Sequence, residues 1–405
     1  MTTKNGFGTY PQQECGLATV TEGLINVIEK ISTVRSSLIT VTDDRANDDP
    51  DGRIKNKFDD THIFRMTDDT GMFQHARFGI PDLDKGYTTD DNARALIMAV
   101  MLHEEFPKIA YLSLVYRYLG FVLYAQNESG GFRNFMTYSR QFTEEEGSED
   151  CFGRCLWALG YTMASPAMPK GIKRACAAAV KRALSCISTI TSLRGQANTI
   201  IGLGLLGGNE ADSFISILAQ SLLKQFEQCA SKEWHWFEDK LTYDNAVLPG
   251  ALFVAYRHLG QGELLHTARE SLDFLDQITF RNGYFQAIGC KGWMVQGAEP
   301  AQYDEQPIEA CATALTHLVA YDVAGDGAML ELARQSFAWY LGTNSCGESL
   351  IDSETGGCCD GITSDGINQN QGAESIVGYC IANLSMERYK AVDDSICFDR
   401  MVSLR

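Results

Sequence analysis

The stretch Gly86-Tyr-Thr-Thr-Asp-Asp-Asn-Ala-Arg-Ala-Leu96 places two adjacent carboxylates directly ahead of a long apolar run with helical spacing. Thr88 or Thr89 suits the N-cap of a helix. Asp90 and Asp91 then fall in the first turn, where free backbone N–H groups and the helix dipole favour negative charge. Acidic residues stabilise a first helical turn whether or not they have a catalytic role. The stretch therefore indicates a functional site only because similar helix starts recur along the chain.

Five further segments start a helix in a similar way, with polar or acidic residues ahead of an apolar run. They are Ser148-Glu-Asp150, Arg194-Gly-Gln-Ala197, Thr242-Tyr-Asp-Asn-Ala246, Asp304-Glu-Gln-Pro307 and Gln371-Gly-Ala-Glu374. The six starts recur roughly every 45 to 70 residues, the size of a helical hairpin plus a loop. Repetition at this period predicts a fold built from helical hairpins.

The hydrophobic spacing predicts five helix pairs and two single helices, and no sustained alternation typical of strands. The pairs are 89–105 with 109–127, 148–164 with 169–189, 194–207 with 210–230, 243–259 with 261–278, and 307–322 with 326–342; the single helices are 15–40 and 371–389. First helices are rich in Ala and Gly, as crowded inner helices would be, and second helices carry more charge, which suits an outer layer.

Twelve helices in two concentric layers predict an all-α (α/α)6 toroid that occupies residues 1–405 as a single domain. The N-terminal helix 15–40 would close the ring as the twelfth helix, beside the last inner helix. A long loop over 41–87 would lie across the mouth. Because all inner helices of such a toroid run parallel, their N-termini surround one opening, and the loops that enter them line a pocket there.

The mouth would collect carboxylates and aromatic rings, a combination that suits sugars. Hydrolysis of a glycosidic bond requires one carboxylic acid with a raised pKa and a second carboxylate, which in inverting enzymes activates water from roughly 6.5–9.5 Å away. We expect the general acid to come from Asp90/Asp91 or Glu149/Asp150, and the general base from Asp304/Glu305. These candidates are Asp90, Asp91, Glu149, Asp150, Asp304 and Glu305.

A second set of residues would hold the substrate, because their polar groups or rings fall in the loops and helix starts of the same mouth. They are His75, Arg77, Tyr87, Arg133, Asn134, Trp236, Asp244, Gln371 and Glu374. Asp244 and Glu374 are also reserve candidates for catalysis. Each helix-start residue has a structural alternative, since Asp, Glu and Gln can serve there as caps alone.

Composition limits the partners that the protein can have. The net charge of −18 and the lack of any Lys/Arg-rich run argue against nucleic acid and anionic membrane surfaces. The N-terminal residues lack the apolar core of a signal peptide, and no window approaches 18 apolar residues. Thirteen scattered cysteines fit reduced thiols in a cytoplasmic protein. The pairs Cys151/Cys155 and Cys358/Cys359 lack the spacing of a metal site, and no phosphate-binding loop indicates a cofactor.

Three blocks of the sequence resemble a family of poorly characterised bacterial proteins that occur alone or joined to glycosyltransferase modules. The first block is Asp69-Thr-Gly-Met-Phe-Gln-His-Ala-Arg-Phe78 with Gly86–Leu96. The second is Phe132-Arg-Asn-Phe-Met136 with Gly147-Ser-Glu-Asp150, and the third is Asn368-Gln-Asn-Gln-Gly-Ala-Glu-Ser375. The resemblance covers about residues 65 to 385. It implies a six-hairpin glycosidase-like toroid, a link to carbohydrate metabolism and a glycosyltransferase as a partner, but no particular activity.

More loosely, the layout is similar to unsaturated glucuronyl hydrolases and family 76 mannanases, whose catalytic acids sit at inner helix starts. Together these features predict a glycoside hydrolase acting on an oligosaccharide, with inversion. Three alternatives stay open: a polysaccharide lyase using Arg77, Arg133 and Arg140 near a uronate, a sugar epimerase using His75 and His235, and a non-catalytic sugar-binding module of a glycosyltransferase system.

Overall fold

The computed structural model of the chain describes residues 59–390 in full, the backbone of 391–402, and the backbone of two short N-terminal strands. These strands, β1 (Lys4–Phe7) and β2 (Ser36–Ile39), pair in parallel with Lys4 opposite Ser36. They belong to a compact unit that spans residues 1–58, and a second unit spans residues 59–405.

The predicted helix over 15–40 is wrong at Ser36–Ile39, which form β2. The strand ends on Ile39, whose β-branched side chain favours an extended backbone over a helix. The other positions of the predicted helix, and residues 41–58 of the predicted long loop, lie outside the described residues. The described part of that loop is not wholly irregular, because Thr61–Arg65 form a short helix that buries His62 and Ile63.

The second unit is mainly helical. Its helices in chain order are α1 (Thr61–Arg65), α2 (Thr89–Glu105), α3 (Ile109–Ala125), α4 (Glu149–Ala164), α5 (Lys170–Ile187), α6 (Leu193–Leu206), α7 (Asn209–Cys229), α8 (Val247–Leu259), α9 (Gly262–Thr279), α10 (Pro307–Ala324), α11 (Gly327–Ala338) and α12 (Ala373–Val402). None of the helices in the described residues is long and apolar enough to cross a membrane.

The even-numbered helices α2 to α12 form a closed inner ring. Each packs against the next even-numbered helix, and α12 packs against α2, which closes the ring. The odd-numbered helices α3 to α11 each pack against the even-numbered helix that precedes them and form the outer layer. The predicted (α/α)6 toroid is confirmed, although the closing contact comes from α12 and α2 directly.

Glycines allow the inner helices to approach one another closely. A side chain at Gly160 of α4 would clash with the carbonyl of Gly202 in α6, and a side chain at Gly202 would meet the backbone of Leu156 at 2.6 Å. Glycine costs an exposed helix interior about 1 kcal/mol relative to alanine. Here that cost is offset because the two helices pack backbone to backbone.

Short two-residue strands join the loops at the helix starts. β3 (Ala76–Arg77) pairs with β4 (Ile80–Pro81), β5 (Tyr87–Thr88) with β6 (Phe135–Met136), β7 (Lys240–Leu241) with β8 (Met294–Val295), and β9 (Ile362–Thr363) with β10 (Gly366–Ile367), all antiparallel. β5 leads directly into α2, so its pairing with β6 fixes the position at which Asp90 and Asp91 emerge.

Candidate active site

Arg94, one turn into α2, links two carboxylates from neighbouring inner helices. Its Nη2 donates to Asp91 Oδ1 at 2.6 Å, and its Nη1 donates to Glu374 Oε2 of α12 at 3.0 Å. The second oxygen of Asp91 accepts a hydrogen bond from Thr88 Oγ1 at 2.5 Å. A single guanidinium therefore holds the starts of α2 and α12 together and fixes two carboxyl groups beside each other.

Asp91 and Asp90 differ in exposure, which settles which of them faces inward. Asp91 is only 4% exposed, whereas Asp90 is half-buried and accepts a hydrogen bond from the Asp91 backbone N–H at 2.8 Å. Burial raises the pKa of Asp91 to about 7, against the opposing effect of Arg94, and the nearby charges of Asp90 and Glu374 raise it further. Asp91 is thus the buried carboxyl group of the pair, and its pKa is raised toward neutral pH.

A second arginine–carboxylate pair lies at the starts of α4 and α8. Arg154 Nη2 donates to Asp244 Oδ2 at 3.0 Å, and each side chain is 6% exposed. Burial raises the pKa of Asp244, and the fields of Arg154, Arg194 and Arg94 oppose that shift. Since Arg94 lies within electrostatic reach of Asp244, both arginine clusters belong to one mouth.

Asp244 also has an unusual backbone, with φ at 48°. A non-glycine residue in this left-handed region carries conformational strain, and such residues concentrate at functional sites. Its N–H donates to a carboxylate oxygen of Glu309 in α10, and the Asn245 side chain donates to the other oxygen at 3.2 Å. The helix begins at Val247 instead of the predicted 243 because this turn precedes it.

Glu309 is a mouth carboxylate that the sequence analysis missed. It is 4% exposed, and burial together with the charge of Asp244 raises its pKa to about 7. The signal was available, because Glu309 follows Pro307 in the first turn of α10, where acidic residues are favoured. The sequence pattern instead predicts the base at Asp304 or Glu305, ahead of that proline.

Glu309 should make folding stability depend on pH. Its folded pKa lies above the value of about 4.3 in an unfolded chain, so the native state gains stability on protonation and loses it as the pH rises through 4 to 7. We expect Glu309→Gln to remove part of that loss, on the order of 3 kcal/mol. Urea unfolding at pH 5, 6, 7 and 8 measures it, with the exposed Glu331→Gln on α11 as the control. Equal pH slopes in wild type and Glu309→Gln would contradict this assignment.

Asp150, in the first turn of α4, forms a third group at the mouth. It accepts hydrogen bonds from Ser192 Oγ at 2.6 Å and from the Tyr243 hydroxyl. Arg194 lies over the Tyr243 ring at 4.8 Å and donates to Glu238 at 2.7 Å. These contacts tie the starts of α4, α6 and α8 together with hydroxyl and guanidinium donors.

A cleft of about 810 Å³ opens beside this third group. Tyr243, Arg194 and Glu238 line it, and Trp293 adds an aromatic ring from the loop before α10. The cleft thus presents a charged pair, a phenol and an indole together, which is a suitable surface for a polar ligand with flat apolar faces.

Three of the predicted catalytic residues contact neighbouring loops instead of these clusters. Glu149 accepts hydrogen bonds from the backbone N–H groups of Thr191 and Ser192, and so holds the approach to α6. Asp304 pairs with Lys291 at 3.3 Å.

Glu305 is fully buried and accepts a hydrogen bond from Trp339 Nε1 at 2.8 Å and another from Ser345 Oγ. Burial raises its pKa, but its contacts are with the segment after α11. The structure therefore brings Asp90, Asp91, Asp150, Asp244 and Glu374 to the mouth, whereas Glu149, Asp304 and Glu305 contact neighbouring segments.

Several predicted binding residues also hold loops in place. Asn134 Oδ1 accepts from the N–H groups of Thr89 and Asp90, at 3.0 and 3.1 Å, so it caps α2. Arg133 donates to the carbonyl of Tyr124 at 2.6 Å. Tyr87 is buried and donates to Asp68 at 2.6 Å.

The remaining predicted binding residues divide between the interior and the surface. Gln371 is 2% exposed and bonds to Thr355 and Asp352, and Trp236 has no exposed surface at all. His75 is exposed, and Arg77 is exposed and paired with Asp82 at 3.0 Å. Of this set, His75 and Arg77 are exposed and Glu374 is half-buried at the mouth, so these three could meet a ligand without rearrangement, whereas Asp244 is buried.

No family model and no curated protein matches this sequence. Solved structures nevertheless share its fold. A sugar epimerase from a ruminal bacterium superposes with a TM-score of 0.62 at 14% identity, covering 81% of this chain and 96% of that one. The cellobiose 2-epimerase of Spirochaeta thermophila gives 0.61 at 11% identity, over 82% and 94% of the two chains.

A GH76 α-mannanase from Bacteroides thetaiotaomicron gives a TM-score of 0.55 at 11% identity, over 76% of this chain and 88% of that one. At these identities the likeness establishes the fold alone. The six-hairpin toroid implied by the sequence resemblance is confirmed, and the proteins that share it act on sugars by more than one reaction. The link to glycosyltransferase modules stays a prediction.

Proposed function

We propose that this protein is a glycoside hydrolase that cleaves an oligosaccharide with inversion, using Asp91 as general acid and Glu374 as general base. The observation that carries the proposal is the guanidinium of Arg94, which contacts both carboxyl groups at 2.6 and 3.0 Å. Asp91 and Glu374 are the two carboxyl groups that glycoside hydrolysis requires, and Arg94 holds them in a fixed relation to each other.

The span of the guanidinium is compatible with inversion. Because one planar group contacts both partners, their contacting oxygens lie at most about 8 Å apart, a limit that includes the roughly 6.5–9.5 Å separation of inverting enzymes. Inversion is therefore part of the proposal that the product configuration has to test.

The two carboxyl groups differ in the way that an acid and a base must differ. Asp91 is 4% exposed and its pKa is raised to about 7, so a substantial fraction is protonated at neutral pH. Glu374 has 38% of its side chain exposed, which gives solvent water access to it. In the proposed reaction, Asp91 donates its proton to the glycosidic oxygen as the bond to the anomeric carbon breaks, and Glu374 takes a proton from the attacking water.

The cleft beside Asp150 is proposed to bind the remaining sugar units. Trp293 offers a ring on which the apolar face of a pyranose can stack, and Arg194, Glu238 and Tyr243 offer donors and acceptors for hydroxyls. The arginines nearest the mouth are already paired with carboxylates, and the overall charge is −18, so the site favours a neutral sugar over a uronate. This disfavours the lyase alternative.

A sugar epimerase is the second candidate, because two of the structures that share the fold are epimerases. The histidine arrangement speaks against it. His235 lies against Glu270 at 2.6 Å and contacts the carbonyl of Lys232, and His317 is buried against Asp276 at 3.0 Å. Both imidazoles are therefore engaged with protein groups, and His75 is the exposed histidine of the three.

A panel of neutral gluco-, manno- and galacto-oligosaccharides tests the proposal. New reducing ends should appear with the wild-type protein and with Asp84→Asn, an exposed loop carboxylate whose side chain is 89% exposed. Asp91→Asn and Glu374→Gln should release almost none. An isomerised product without new reducing ends would identify an epimerase, and an ultraviolet-absorbing unsaturated product a lyase. Binding without turnover would identify a sugar-binding module, and each of these results would overturn the hydrolase.

A further inference from the structure

The outer face of α3 carries an exposed aromatic stripe. Tyr116, Gly120 and Tyr124 follow one another at intervals of four residues, so they lie on one face of the helix. The two tyrosines are 56% and 59% exposed, whereas the Tyr111 and Tyr118 rings of the same helix are buried. They are set apart from the mouth residues described above.

Gly120 between the tyrosines has no packing reason to be a glycine. It lies in the interior of α3, and a side chain at that position would meet no atom within 4 Å. Glycine in a helix interior lowers helix stability relative to any ordinary residue. This contrasts with Gly160 and Gly202, where backbones touch. Gly120 therefore leaves an open space on the helix surface between the two exposed rings.

The stripe forms one side of a cleft of about 290 Å³. Its other side carries Asp69 and Arg140, which pair at 2.6 Å, and Arg117 adds a further donor. Arg140 has φ at 63°, in the left-handed region that non-glycine residues seldom adopt. A strained residue that directs an ion pair into a cleft is typical of a ligand-binding surface.

The ring of Tyr124 is held in place. The Arg133 guanidinium lies 5.6 Å from its centroid, and the Phe142 ring lies at the same distance on a tilted plane. A ring fixed by its neighbours loses little conformational entropy when a ligand stacks on it. Tyr124 is therefore prepared for a flat ligand.

We infer that this cleft is a second carbohydrate site, which binds an uncharged chain of pyranose sugars outside the mouth. The ligand class rests on the proposed function. Pyranose faces would stack on Tyr116 and Tyr124 over Gly120, and the Asp69–Arg140 pair with Arg117 would bond the hydroxyls. An extended apolar protein partner fits less well, because Asp69, Arg117 and Arg140 place three charged side chains in the lining of the cleft.

The cleft also connects to the mouth through one pair of short strands. Met136 in the cleft belongs to β6, which pairs with β5 and Tyr87, and β5 continues into Asp90 and Asp91. A long sugar chain held in the cleft would therefore stay close to the proposed catalytic groups. This arrangement raises the local concentration of a polymer without a change in the chemistry.

Native gels that contain a soluble neutral polysaccharide (mannan, glucan or xylan) test the inference, because binding slows migration. We expect at least one of these polysaccharides to retard the wild-type protein. Gly120→Gln should weaken that retardation at least ten-fold, because its side chain fills the space between the two rings. The control is Gly171→Gln in α5, where a side chain also meets nothing within 4 Å. The double variant Tyr116→Ala/Tyr124→Ala should behave like Gly120→Gln.

The outcomes separate this site from the mouth. Gly120→Gln should melt at or above the wild-type temperature and should cleave short oligosaccharides at the wild-type rate. If retardation is lost in Gly120→Gln but no sugar is ever cleaved, the second site stands and the hydrolase fails. If no polysaccharide retards the wild type, if Gly120→Gln binds as the wild type does, or if only Glu374→Gln loses retardation, the inference is overturned.

Discussion

Asp91→Asn should lower kcat toward a cleaved oligosaccharide by about 10²–10⁴-fold, the usual contribution of a general acid. KM should change only a few-fold, because the cleft that binds the sugar is untouched. The fold should also survive, since Arg94 keeps its contact with Glu374 at 3.0 Å. Steady-state kinetics and thermal melting of the purified variant measure these effects, with Asp84→Asn as the control.

The pH profile makes this prediction specific. A general acid must be protonated, so activity of the wild type should fall as the pH rises through about 7, the pKa to which burial raises Asp91. Asp90→Asn removes a neighbouring negative charge that raises that pKa, so it should move the alkaline limb to lower pH without abolishing activity. If the alkaline limb of the pH profile stays at the same pH in Asp90→Asn, the general acid is a group other than Asp91.

Arg154→Met should destabilise the protein by about 3–5 kcal/mol at pH 7.5, because it leaves Asp244 buried without its partner. The deficit should shrink toward pH 5. The folded pKa of Asp244 is already raised and would rise further, so the folded variant gains stability as Asp244 takes up a proton at lower pH. Urea unfolding at both pH values measures the effect.

Two comparisons separate this effect from a general sensitivity to mutation. Arg174→Met, on the exposed side of α5, should cost little. The double variant Arg154→Met/Asp244→Leu should recover most of the loss, because an apolar pair can replace a buried ion pair. If the loss of unfolding free energy in Arg154→Met is the same at both pH values, Asp244 is not left charged in that variant.

The helical architecture could be predicted from the sequence because its signals are local. Helix α2 begins at Thr89 and ends at Glu105, as predicted, since a polar start and a helical apolar period mark both ends. The fourth inner helix begins four residues late. The side-chain amide of Asn245 accepts a hydrogen bond from the Thr242 N–H and donates one to the Thr242 carbonyl. This local turn competes with the helix, and the hydrophobic periodicity of the sequence does not reveal it.

The site was only partly predictable, because its grouping depends on contacts between distant segments. Asp90, Asp91 and Asp150 lie in the first turns of inner helices, as predicted, and their role at the mouth stays a prediction. The roles of Arg94 and Arg154 were missed, although each is the sixth residue of an inner helix, a repeated position that the sequence displays. The burial of Glu305 against Trp339 follows from packing across 34 residues and has no local signal.

The anomeric form of the first product tests the account most directly. Proton NMR of a cleavage reaction, recorded before the product mutarotates, shows whether the new reducing end has the opposite configuration to the bond that was cleaved. We predict inversion with the wild-type protein, and no product signal with Asp91→Asn or Glu374→Gln. Retention of configuration, or a product made equally well by Glu374→Gln, would contradict the assignment of an acid and a base bridged by Arg94.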